Sequence, residues 1–266
     1  MAKINCFIPV QEKSQVIATV EGLKSSELVS KIYLLATEDF SDAIEGCEVV
    51  KIDSLQSSAT VKKIAELSDA EYSLIYTKYT TLELGYFALE RMVNLADDSQ
   101  ASMLYADHYQ ITDGVKKASP VIDYQFGSLR DDFNFGSVLF YNAAALKCGA
   151  SRMKQDYKFA GLYDLRLKVA QKGELCHINE YLYTEIENDN RKSGAKIFDY
   201  VDPKNRGVQI EMEQACTEHL KEIGGYLEPK FEHIEFSENN FEYEASVIIP
   251  VFNRVKTVRD AIKSVL

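Results

Sequence analysis

The sequence predicts an α/β protein built as three layers, a mostly parallel central sheet with helices on both faces. Three observations lead there. Apolar, strand-like runs alternate with helix-periodic stretches through the first hundred residues, the order that βαβ crossovers produce. The strand-like runs are short and apolar on successive positions, as in IYLLA at 32–36, which is the pattern of strands buried on both faces. Finally, 266 residues that are 46% apolar and 27% charged are ample for one large core.

In chain order, residues 4–10 form a short apolar strand containing Pro9, and residues 15–23 a helix. Residues 31–36 are a buried-type strand, and 48–52 a second one after a polar turn. Residues 58–67 place Val61, Ile64 and Ala65 at helical spacing, with Ser58 as the expected N-cap. A strand follows at 72–77. A helix is expected over 83–95, with Leu84, Phe87, Ala88 and Met92 on one face. Residues 101–106 read as a strand, the Thr112, Asp113, Gly114 run as a turn, and 136–141 as a further strand. Helices are expected at 143–148 and 162–171, a late strand at 181–186, and a helix at 209–223 stopped by Gly224 and Gly225. In such sheets ligands bind at the carboxyl ends of the strands, which here puts Pro9, Val10, Ala36, Thr37, Thr77 and Lys78 at the candidate site.

Composition narrows the functional classes. Thirty Lys and Arg against 41 Asp and Glu leave a net charge of −11, which disfavours nucleic acid or an anionic membrane as a partner of the whole surface. The five cysteines are scattered, with no CxxC pair, and read as reduced core thiols. No segment approaches the 18 or so apolar residues that a membrane span needs, and the opening apolar run is too short for a signal peptide. A cytoplasmic protein is expected. No Gly-rich phosphate loop follows a predicted strand, which disfavours an unrelated nucleotide-binding protein.

The end of the chain echoes its beginning. CFIPV at 6–10 matches VIIPV at 247–251, and both runs lead into a helix-like stretch. IPVFN at 249–253 with AIKSVL at 261–266 resembles the opening strand and helix of family 2 glycosyltransferases, whose fold is the nucleotide-diphospho-sugar transferase (GT-A) domain. The earlier part of the chain resembles that family in the order of its elements, from about residue 3 to 187. Residues 72–90 sit where the family has a strand, its metal-binding carboxylates and the next helix. Residues 102–110 (SMLYADHYQ) resemble the following strand and its aspartate. Residues 135–146 resemble the strand and helix near the acceptor, and 161–173 the helix bearing the catalytic base. The expected organisation is a GT-A-like domain at 1–187, a helical connector at 188–244, and the first strand and helix of a second GT-A domain at 245–266.

The resemblance implies a protein that transfers a sugar, with inversion, from a nucleotide-diphosphate donor to a glycan acceptor in polysaccharide biosynthesis. It also implies Mg²⁺ or Mn²⁺ against the diphosphate. The acids that this chemistry uses are thin here. After the second strand the family's base-pairing carboxylate falls on Ala36, with Glu38 and Asp39 just beyond. The Asp-x-Asp metal pair falls on Thr77, Lys78 and Tyr79. The catalytic base falls on Gly161 and Leu162, with Asp164 the nearest acid. No metal ligand set is therefore assigned, and the domain is expected to be catalytically reduced.

Each candidate carries two readings. Lys78 supplies positive charge beside a diphosphate, or is an exposed lysine at a strand end. Asp107, followed by His108, is one metal ligand or sugar contact, or a turn cap. Asp164 is the base, or else a first-turn dipole complement or an ion-pair partner of Arg166 or Lys168. Arg130, Asp131 and Asp132 contact the acceptor, or form a solvated cluster. Arg191 and Lys192 belong to a charged loop near the diphosphate. His177 is a half-buried strand residue. Pro250, Asn253 and Arg254 would line the nucleotide site of the second domain. The first domain is then a reduced transferase, or a non-catalytic module holding an acceptor glycan or the neighbouring catalytic domain.

Overall fold

The computed structural model describes residues 3–37, 40, 44–187, 206–233, 243 and 245–266. Two units are distinguished, Met1–Tyr226 and Leu227–Leu266. In the first, the elements run β1 (Ile4–Val10), α1 (Lys13–Lys24), β2 (Val29–Ala36), β3 (Cys47–Lys51), α2 (Ser58–Leu67), β4 (Tyr72–Tyr76), β5 (Thr81–Leu84) and α3 (Ala88–Ser99). They continue with β6 (Met103–Thr112), β7 (Val115–Ser119), β8 (Val138–Asn142), α4 (Ala143–Ser151), α5 (Gly161–Ala170), β9 (Leu175–Glu187) and α6 (Arg206–Ile223). The second unit contains α7 (Val255–Lys263).

Among the described residues one sheet holds all nine strands, in the order β3-β2-β1-β4-β8-β6-β9-β5, with β7 on β6. β1 is parallel to β2 and β4, β2 to β3, and β6 to β9. β8 is inserted antiparallel between β4 and β6. Six strands thus share one direction, and β5, β7 and β8 oppose it. All seven residues of β1 are buried. Ile4, Cys6, Ile8 and Val10 enter one core with α1 and α3, whereas Phe7 enters the other with Tyr33 and Ile75, covered by α2, α4 and α5. The period-2 alternation of a strand between two helical layers explains why β1 shows no polar face in sequence.

Several expected elements differ in detail. The N-cap of α2 is Ser57, whose hydroxyl accepts from the Thr60 N–H; Ser58 is already helical and accepts from the Tyr157 N–H. The helix expected from residue 83 begins at Ala88. Residues 81–84 instead pair antiparallel with β9, and Phe87 is left-handed at φ 53°, so Leu84 and Phe87 only imitate a helical face. β6 runs on to Thr112 and turns back into β7 through Asp113 and Gly114, both at positive φ, the Asp-Gly geometry of a two-residue hairpin. The lysine-rich, exposed β7 carries no apolar signal. β9 is also longer than expected, because β6 pairs along it from Met103 to Thr112.

The helix at 206–223 packs on α5 within the first unit. Tyr163 and Leu167 meet Ala215, and Glu211 accepts from the N–H groups of Phe159 and Ala160. The structure thus divides after Tyr226, where the sequence placed boundaries at 187 and 244. In the second unit, residues 246–251 form no strand: strand geometry depends on a paired neighbour, and among the described residues none pairs with them. α7 follows directly, with Arg254 as its N-cap. Among the described residues, no helix is long and apolar enough to cross a membrane.

Candidate functional site

The parallel strands bring their carboxyl ends to one side of the sheet. Val10 lies beside Ala36 and Pro9 beside Leu35, so Pro9 and Val10 do sit at a strand end. Both are buried, which leaves backbone groups as their contribution. Glu38 and Asp39 lie outside the described residues, as do Arg191 and Lys192. At the end of β3, Asp53 accepts from the Ser54 N–H (2.8 Å) and from the hydroxyls of Ser57 (2.5 Å) and Thr60 (3.2 Å). Its slight burial opposes ionisation, but these donors outweigh it and hold the carboxyl below the usual range. The sequence reading passed over Asp53.

Past β4, Thr77 donates twice to the Ser137 carbonyl, and Lys78 turns towards β9. Its ammonium lies 2.5 Å from Glu185 Oε2. Gln110 donates to the same oxygen at 3.0 Å, and His108 Nε2 stands 3.4 Å from Oε1. Glu185 is fully buried and His108 2% exposed, while the Lys78 side chain retains 34% exposure. The assembly follows from register. β6 and β9 are parallel with His108 opposite Tyr183 and Gln110 opposite Glu185, so residues two apart on each strand share a face. The His108 ring stacks on Tyr183 at 5.0 Å and 3°, and the Tyr183 hydroxyl accepts from the Ser137 N–H. Gly136, at φ 71°, makes room: a Cβ there would lie 2.2 Å from the Tyr183 oxygen.

Electrostatics in this cluster favour an internal ion pair. Burial opposes ionisation of Glu185, yet the Lys78 and Gln110 donors outweigh it and its carboxyl stays below the usual range. Burial also holds His108 below its ordinary value, against the pull of Glu185. The donor set does not fit a divalent metal. Positions 77–79 bear no carboxylate, the Glu185 charge is met by an ammonium, and among the described residues no three His, Cys, Asp or Glu converge on a metal position.

Asp107, the other candidate ligand, serves as a tether. Its Oδ1 accepts from the Val121 N–H at 2.8 Å and meets His177 Nε2 at 2.9 Å, while His177 Nδ1 reaches Asp123 at 2.7 Å. At 2% exposure Asp107 anchors the loop after β7. That loop is further held by the Tyr105 hydroxyl, between the Ile122 carbonyl and the Tyr124 N–H. The Arg166 guanidinium donates to the Ser128 and Arg130 carbonyls. Sequence reading identified His177 as a strand residue and missed its bridging role, which depends on a loop more than fifty positions away. Arg130 and Asp132 are exposed and pair with one another, and Asp131 accepts from the Asp132 N–H. The two aspartates therefore turn to separate partners.

Asp164 is fully buried, 3.7 Å from Lys168 in the next helical turn. Lys168 in turn meets Glu218 (3.1 Å) and Glu222 (2.8 Å) of α6. Neither Asp164 oxygen has a hydrogen-bond partner among the described residues. Burial pushes its carboxyl up to about 6, Lys168 pulling the other way. A general base must reach the acceptor hydroxyl, and a carboxylate closed in by α6 does not, so the structure supports the ion-pair reading of Asp164. In the second unit Pro250, Asn253 and Arg254 are exposed, with Asn253 left-handed at φ 53°.

Pro9, Val10 and Lys78 are thus brought to one end of the sheet, joined by His108, which the sequence named beside Asp107, and by Glu185 and Gln110, which it did not single out. The available signal was charged or polar residues two apart inside apolar strands: His108 with Gln110, and Glu185 following Tyr183.

No family model and no curated protein matches this sequence. Solved structures do. The chain is similar to S. aureus TarS 1-349 in complex with UDP-GlcNAc, with a TM-score of 0.57 at 11% identity, covering 82% of this chain and 66% of that one. It is likewise similar to S. aureus TarS 1-349 alone (TM-score 0.55, 9% identity, 83% and 82% covered). A third likeness is to a TarS structure of which the match spans 43% (TM-score 0.51, 9% identity, 82% of this chain). The shared architecture is a GT-A-like, glycosyltransferase-type fold.

Proposed function

We propose that this chain is part of an inverting family 2 glycosyltransferase in which the domain described here is catalytically reduced. The longer protein would transfer a sugar from a nucleotide-diphosphate donor to a glycan acceptor in the cytoplasm. Catalysis, with its Mg²⁺ or Mn²⁺, would belong to a second GT-A domain opening at residue 245, where Pro250, Asn253 and Arg254 would face the nucleotide. The reduced domain would hold the acceptor glycan or brace its catalytic neighbour. The observation that carries this reading is the Lys78–Glu185 pair. The resemblance assigns the metal-binding acids to positions 77–79, and this chain has there an ammonium paired with a buried carboxylate in place of acids around a divalent cation. The burial of Asp164 supports the same reading.

Calorimetric titration with UDP, GDP and CMP, each with and without Mn²⁺, tests it. The expected result is no Mn²⁺-dependent binding. Micromolar binding of one nucleotide that needs Mn²⁺ overturns the reading and makes this domain a working donor site. Metal-independent binding lost in Lys78→Ala would leave the domain a nucleotide-binding module in which the lysine has replaced the metal.

A further inference from the structure

The chain carries a second feature that shares no residue with the Lys78 cluster. β5 is the last strand of the sheet order, and outside it runs an open groove of about 710 Å³, between α1 and the turn at 85–88. Two aromatic rings stand at its rim. Tyr86 is 92% exposed and Phe87 66%, packed edge to face at 4.7 Å. Phe126, Phe231 and Phe252 are exposed as well, but Tyr86 and Phe87 are adjacent and line one groove, the arrangement that marks recognition.

The backbone holds them there at a cost. Phe87 occupies the left-handed region, which a bulky residue adopts only under constraint. Gly85 donates to the Leu182 carbonyl at 2.7 Å, and a Cβ on it would lie 2.8 Å from that oxygen, so the turn is pressed against β9. The backbone that carries the rings is thereby constrained before any ligand arrives.

Charge and hydrogen bonding select the occupant. The groove contains Glu83 and Glu90 and no Lys, Arg or His among the residues described as lining it. Such a lining repels phosphates and acidic sugars. α1 covers part of the β5 edge and leaves less of it for strand addition: the Leu82 N–H already donates to Thr19 Oγ1, and the Thr81 hydroxyl ties the same stretch to the Gln15 carbonyl. Left are carboxylates, which accept from ligand hydroxyls, and the Ser26 hydroxyl, which accepts from the Leu28 N–H and keeps its own proton to donate, whereas Ser25 already donates to the Gly22 carbonyl; beside them are two rings whose faces suit the C–H face of a pyranose. We propose that this groove is a binding site for an uncharged oligosaccharide, separate from the strand-end site and independent of whether that site is active.

Calorimetric titration of the whole chain with neutral hexasaccharides (maltohexaose, cellohexaose and chitohexaose), with oligogalacturonate as the anionic control, tests the assignment. At least one neutral hexasaccharide should bind, oligogalacturonate should not, and saturating UDP should leave the affinity unchanged. Tyr86→Ala and Phe87→Gly should each weaken binding by about tenfold or more, the scale of a lost aromatic platform. Phe87→Gly relieves the left-handed backbone, so it should melt no lower than the parent while binding worse, an opposition that misfolding cannot produce. Silence across the neutral panel, preference for the anionic sugar, or unchanged affinity in both variants overturns the proposal. So does self-association of the parent that Tyr86→Ala abolishes, since a second copy would then be the occupant.

Discussion

Replacing Asp164 with asparagine should stabilise the protein at neutral pH, although it removes one half of a buried ion pair. Burial raises the Asp164 carboxyl from 3.8 to about 6. Between those two values the folded state holds a proton that the unfolded chain has released, so stability falls as pH rises through that window. At about 1.4 kcal/mol per pH unit, the ionised carboxylate costs the fold about 3 kcal/mol at pH 7 and almost nothing at pH 4. Lys168 does not become an orphan when Asp164 loses its charge, because Glu218 and Glu222 of α6 stay at 3.1 and 2.8 Å. An amide in place of the carboxylate, which has no hydrogen-bond partner among the described residues, should recover about 1–3 kcal/mol at pH 7, the lower figure allowing for imperfect amide pairing. The assay is urea unfolding of parent and Asp164→Asn at pH 4, 5, 6 and 7, with m-values compared. A variant less stable than the parent at pH 7, or a difference that does not change between pH 4 and 7, refutes this account of Asp164.

The Lys78–Glu185 pair should behave in the opposite way. Lys78→Met leaves Glu185 buried without its main donor and should cost about 2 kcal/mol at pH 7, below the 3–5 typical of a fully buried pair because Lys78 is partly exposed. Glu185 in the parent lies below the usual carboxylate range, so its contribution is present above that range and lost as pH falls through the folded value. The Lys78→Met penalty should therefore shrink towards pH 4, and the Lys78→Met, Glu185→Gln double variant should recover part of it in a denaturant-melt cycle. Gly136→Ala puts a Cβ 2.2 Å from the Tyr183 hydroxyl and a side chain on a left-handed backbone, which should cost about 3 kcal/mol or more, seen as a large drop in Tm. Ser57→Ala should cost about 1 kcal/mol by uncapping α2; a neutral result would return the cap to Ser58.

Much of the fold was legible in the sequence. Strands buried on both faces are apolar throughout, and helices between two layers keep a 3.6 period, so β1, β2, β4, α1 and α2 could be read locally within a residue or two. β5 and β7 could not: one is polar-apolar at only four positions and merges with a helical pattern, and the other is an exposed edge whose pairing comes entirely from its neighbour. For the candidate site, sequence order was enough to put Pro9, Val10 and Lys78 at one sheet end, because parallel βαβ units send their carboxyl ends to the same side. Residue type alone also indicated that the positions the resemblance assigns to the metal-binding acids, Thr77, Lys78 and Tyr79, carry no carboxylate. Only the tertiary structure decided what Lys78 does, since its partner Glu185 is over a hundred positions away on β9, a strand placed by its pairing with β5 and β6. The same holds for Asp164, whose position in the first turn of a helix suits a base or an ion pair equally. The packing of α6 over α5 removed it from solvent, and burial is a property of the assembled chain that no local stretch of sequence carries.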